Sequence, residues 1–127
     1  MAAERPQRRF SVFAMPLVPG GDETVRGMRE EVLGPRRSEY QESRRRLGIN
    51  EERTWIQSTP DGEMVLVYLD AEDPQRALQG MAESQEPFDV WFRQYIQDAH
   101  GVDIASEQAP SPESVLEWRA PGGTWWA

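Results

Sequence analysis

"RTWIQSTPDGEMVLVYLD", residues 53–70, carries the clearest supersecondary signal in the chain. Two runs rich in β-branched and aromatic residues flank Pro60, Asp61 and Gly62, where proline presets one turn dihedral and glycine accepts a positive φ. The stretch therefore reads as a β-hairpin. Its second half says more: "MVLVYL", residues 64–69, is apolar at nearly every position, whereas an antiparallel strand with one wetted face alternates. Both faces of that strand need cover. The chain's own helices supply one; the expected second is the same sheet of another copy, a twofold homodimer.

Outward from the hairpin, "RFSVFAM" (9–15) is a first strand that stops at Pro16. From Asp22, which is expected to cap, Val25, Met28 and Val32 recur at helical spacing until Gly34 and Pro35 interrupt them. The helix resumes at Pro35 with Tyr40 and Leu47 on one face and Gly48 as its C-terminal cap. Beyond the hairpin, Asp73 and Pro74 open a helix with Ala77, Leu78, Met81 and Ala82 as its apolar stripe, and Pro87 opens another. A linker over 105–114 then leads to "SVLEWR" (114–119), expected as a final strand, and to the tail "APGGTWWA". The order is the ferredoxin-like α+β order βαββαβ: an antiparallel sheet with helices on one face, each helix broken in two. The expected division is a domain over 1–120 and a Trp-containing tail over 121–127.

Composition removes whole classes of chemistry. The chain has 127 residues, a net charge of −8, no cysteine and one histidine, and its fourteen basic residues are all arginine. That acidic balance argues against nucleic acid as a partner. Without lysine there is no Schiff base and no Walker-type loop; without cysteine there is no thiol nucleophile, disulfide or thiolate metal site. No metal and no cofactor is expected. A secretory reading of "MAAERPQRRFSVFAMPLVPGG" fails on Pro16 and Pro19, and no apolar run approaches the ~20 residues that cross a bilayer. The expectation is a cytoplasmic protein with no membrane partner.

"LGINEERTWIQSTPDGEMVLVYLDAEDPQRAL" (47–78) and "SQEPFDVWFRQYIQDAHGVD" (84–103), with their WxQ and PFDxWFxxxIxxxHG signatures, resemble an uncharacterised bacterial domain family of the dimeric α+β-barrel superfamily. The resemblance covers roughly residues 8–120. It implies a homodimer with a cavity between sheet and helices that takes a small aromatic or polyketide-like molecule. Relatives include cofactor-free monooxygenases, polyketide cyclases and haem-degrading enzymes. The haem degraders carry an asparagine on the first strand; Phe10, Ser11, Val12, Phe13 and Ala14 stand here instead, against haem chemistry.

The candidate residues follow from the last helical pattern and the hairpin. Phe88, Trp91, Phe92 and Tyr95 form one wide apolar face, either core or the wall of a ligand site, and Trp55 joins them as a binding candidate on the hairpin. His100, at the end of that helix, is the candidate general acid or base, with Asp89 to orient and Tyr68 to hydrogen-bond an oxygen. Each has a structural alternative. His100 can serve the helix dipole, Asp89 can pair with Arg93 four residues on, and Trp55 can fill core or interface. Arg44, Arg45 and Arg46 read as a solvated helix end. The alternative to small-molecule chemistry is an interaction protein acting through its dimer surface or through a protein partner docked on Trp125 and Trp126, two residues whose structural alternative is to dock on the domain itself.

Overall fold

A computed structural model describes residues 10–103 and 112–122. The elements run β1 (Phe10–Pro16), α1 (Gly21–Leu33), α2 (Arg37–Arg46), β2 (Ile49–Thr59), β3 (Gly62–Ala71), α3 (Pro74–Glu83) and α4 (Pro87–His100). The sheet order is β1-β3-β2, antiparallel throughout. The hairpin closes through Pro60 and Asp61, with Gly62 at φ 123° and the Thr59 hydroxyl donating to the Gly62 carbonyl at 2.6 Å. The architecture is α+β, with a three-stranded antiparallel sheet and four helices. Among the described residues no helix is long and apolar enough to cross a membrane.

The parity of β3 is now settled. Val65, Val67, Leu69 and Ala71 are buried and point to the helices, where Val65 and Val67 share a core with Val25, Val32, Met81 and Ile96. Met64, Leu66, Tyr68 and Asp70 take the opposite face. There Val12 and Arg53 flank Tyr68, and Ala14 and Trp55 flank Leu66. That face is open: Phe10, Val12 and Trp55 are 40, 44 and 48 % exposed.

Local signals explain most helix ends. Asp73 accepts from the Arg76 N–H at 3.1 Å and Pro74 sits in the first turn of α3. Gly101 caps α4 at φ 71°, a conformation that costs a residue bearing Cβ. Gly21 is needed for a different reason: a Cβ there would lie 2.5 Å from the Ala99 carbonyl, so glycine lets α1 and α4 approach.

Four expectations need correction. Residues 114–119 form no strand; Val115, Leu116 and Trp118 are 84, 84 and 72 % exposed, because β-propensity without a ladder partner does not make a strand. The fourth strand of the ferredoxin-like order is thus missing among the described residues. Asp22 does not cap α1; the cap is Gly20 in a left-handed turn, and Asp22 pairs with Arg26 at 3.5 Å. The second helical piece starts at Arg37, since Pro35 lies in the turn that separates α1 from α2. Arg44 is not solvated: it is 7 % exposed, inside the protein. Trp125 and Trp126 lie outside the described residues.

Candidate functional site

Between the sheet and the helices lies a cavity of about 170 Å³. Phe13, Val65 and Val67 form its floor, and Met81, Phe92 and Ile96 form much of its roof. The polar groups on its wall are Ser11, Arg44, Glu52, Thr54, Gln75, Gln79 and Tyr95. Thr54 belongs to the helix-facing parity of β2 and is nevertheless exposed, so the cavity opens near it. A second, outer cavity of about 610 Å³ shares Ser11, Gln75, Leu78 and Pro112 with the first and is bordered by residues 112–117.

Arg44 reaches this wall from the last turn of α2. Its guanidinium stacks over Tyr40 and Phe92, 4.6 and 4.4 Å from the ring centroids. Its Nε donates to Glu52 Oε1 at 2.7 Å, Nη1 to the Ser43 hydroxyl at 3.0 Å, and Nη2 to Glu52 Oε2 at 3.4 Å. Burial works against the charge on Arg44, but Glu52, by charge and hydrogen bonding, raises its pKa overall. The Tyr40 hydroxyl also donates to Glu52 Oε1, at 2.7 Å. Burial, with the Glu52 charge behind it, pushes the Tyr95 pKa up to about 12, so this phenol stays protonated. Its hydroxyl has no hydrogen-bond partner among the described residues.

Asp89 stands elsewhere, at the start of α4, with no solvent exposure. It accepts from Ser43 and Ser84 at 2.5 Å each and from Arg46 at 2.9 Å, which ties α2 and the end of α3 to α4. Burial pushes its pKa up, yet these hydrogen bonds and the Arg46 charge bring it below the ordinary carboxylate range. The expected Asp89–Arg93 pair does not form. Arg93 instead donates to the carbonyls of Met81 and Ser84 at 2.8 and 2.7 Å.

His100 is 7 % exposed, at the far end of α4, with Nδ1 2.8 Å from the Pro16 carbonyl. Since a carbonyl only accepts, Nδ1 carries the proton in this pair, and Nε2 is left buried without a partner among the described residues. Desolvation lowers the His100 pKa and the Pro16 bond only partly offsets it, the opposite of what service to the helix dipole would produce. The histidine pins α4 to the end of β1.

The sequence-predicted residues therefore occupy several places. Phe92 and Tyr95 line the cavity. Phe88 and Trp91 pack beside it, Phe88 edge-on to Tyr40 and Trp91 under the Arg36 guanidinium at 4.5 Å. Tyr68 and Trp55 lie on the open sheet face, where Tyr68 stacks on Phe10 at 6.1 Å. His100, Asp89 and Tyr68 are not brought together. Arg44 and Glu52 were not singled out in the sequence, although Tyr40, Arg44 and Leu47 share a helical spacing and Glu52 shares the strand parity of Ile56. Among the described residues no group of three or more His, Asp or Glu is placed to hold a metal ion. Comparison with protein families, curated proteins and solved structures finds no match.

Proposed function

We propose that this protein binds a small, largely apolar molecule of about one aromatic ring in the cavity between sheet and helices. The carrying observation is the cavity, about 170 Å³ with apolar floor and roof and a few polar groups on one wall. An engineered apolar cavity of about 150 Å³ is enough to hold benzene. That size favours a single ring over a fused polyketide. The protein binds without turnover by His100, Asp89 and Tyr68, because an acid–base role shared by these three would need one site and they stand at three. With no cysteine to oxidise, the same reading takes the protein as cytoplasmic. Ligand-observed NMR with toluene tests it: saturation transfer is expected, and Thr54→Phe, which fills the opening, is expected to abolish it. No transfer to any single-ring probe at millimolar concentration would overturn the reading.

A second reading rests on the open face of the sheet. Phe10, Val12, Ala14, Leu66, Tyr68 and Trp55 put apolar surface there, with Arg53 and Asp70 in the same layer. A twofold copy of this face covers it, since such pairing is self-complementary. This homodimer is the ferredoxin-like, dimeric α+β-barrel reading of the sequence, and light scattering that returns the 14.6 kDa monomer mass for the folded chain would exclude it.

A further inference from the structure

Resting on the cavity reading, we infer that the ligand is a neutral hydroxylated aromatic, a monocyclic phenol or aryl alcohol, and that Glu52 and Tyr95 recognise its hydroxyl. Arg44 and Glu52 are the two charged groups among the described residues of the cavity wall, and they neutralise each other at 2.7 Å. Arg44 is held in place: three of its five N–H groups, one each on Nε, Nη1 and Nη2, have acceptors, and the guanidinium stacks on two rings. An anionic ligand would find no free cation and would meet the Glu52 carboxylate. A cationic ligand would compete with Arg44 for Glu52 and leave one positive charge without a partner in an apolar space.

The outer cavity points the same way. Glu72, Asp73 and Glu113 line it and no arginine among the described residues does, so the field beside the inner cavity opposes anions on a chain that already carries −8.

Beside Ser11, Thr54, Gln75 and Gln79, the inner wall offers an acceptor in Glu52 and a donor in Tyr95. Glu52 Oε1 is saturated by Tyr40 and Arg44, whereas Oε2 receives a single long bond of 3.4 Å. The Tyr95 hydroxyl is without a partner among the described residues, and the charge of Glu52 is felt at it. A ligand hydroxyl serves both at once, donating to Glu52 Oε2 and accepting from Tyr95. A hydrocarbon of the same shape leaves both unmet.

Four probes of one ring size decide the matter at pH 7, by calorimetry on the full chain: p-cresol, toluene, benzoate and benzylammonium. The expected result is p-cresol about tenfold tighter than toluene, the worth of one net hydrogen bond, with benzoate and benzylammonium at least tenfold weaker than p-cresol. Tyr95→Phe removes a hydroxyl that has no partner among the described residues; it is expected to cut the preference for p-cresol over toluene at least threefold. Equal binding of p-cresol and toluene, a preference for either ion, or an unaltered p-cresol preference in Tyr95→Phe overturns the hydroxyl assignment while the cavity stands. Failure of all four to bind overturns the cavity reading itself, and this inference with it.

Discussion

Replacing Asp89 by Asn changes one buried oxygen to an NH₂ group without changing the shape of the side chain. The carboxylate is fully buried and accepts three hydrogen bonds, from Ser43, Ser84 and Arg46. Hydrogen bonds to a charged group are worth roughly 1.5–3 kcal/mol each. Arg46 is 35 % exposed, so water replaces most of what it loses and its share falls below about 1 kcal/mol. The serine hydroxyls can rotate, but Ser43 Oγ already accepts from Arg44 and Ser84 Oγ from the Glu86 N–H, which limits their response to a new donor. The expected net cost is about 2 kcal/mol, or about 10 °C in Tm for a domain of this size.

Linkage supplies a second signature of the same change. The folded-state pKa of Asp89 lies below its ordinary value of 3.8, so its contribution is complete above the unfolded value and is lost as pH falls through the folded one. Denaturant unfolding of wild type and Asp89→Asn from pH 7 to pH 3 should therefore show a gap that is constant near neutrality and closes in acid. A gap under about 0.5 kcal/mol at pH 7, or one that ignores pH, would refute the account of Asp89 as the charged knot of three helices.

Three further outcomes follow from the same structure. His100 has its folded pKa lowered from 6.5, so the neutral form stabilises the fold at higher pH and that contribution fades as pH falls; NMR titration of the single imidazole should give a midpoint below 6.5, and a raised midpoint would contradict its burial. Val65→Glu puts a charge where the side chain is 1 % exposed and should abolish folding, whereas Leu66→Glu, one residue on, should leave a folded chain and, by the homodimer reading, a monomer in light scattering. Gly21→Ala sets a methyl group 2.5 Å from the Ala99 carbonyl, forces α1 from α4 and should cost about 2 kcal/mol by denaturant unfolding; a neutral result would show that the two helices have room.

The features legible in the residue order are local. The hairpin at Pro60–Gly62, the Asp73–Pro74 and Pro87 helix starts, the Gly101 stop and the break after Leu33 are each written in one or two residues whose dihedral or capping preference outweighs their surroundings. The two-faced apolar strand was legible too, as was the apolar stripe of α4 that brings Phe92 and Tyr95 to the cavity. Which face of β3 meets the helices was set by packing, because a strand apolar on both sides carries no parity of its own and takes it from what packs against it. That decision sent Tyr68 and Trp55 to the open face and Glu52 inward. It also set Arg44 against Glu52, a contact between residues eight apart whose sign and burial no helical period encodes. Asp89 met Ser43 and Arg46 across more than forty residues, and "SVLEWR" gained no ladder partner, for the same reason: pairing at long range depends on where whole elements come to rest.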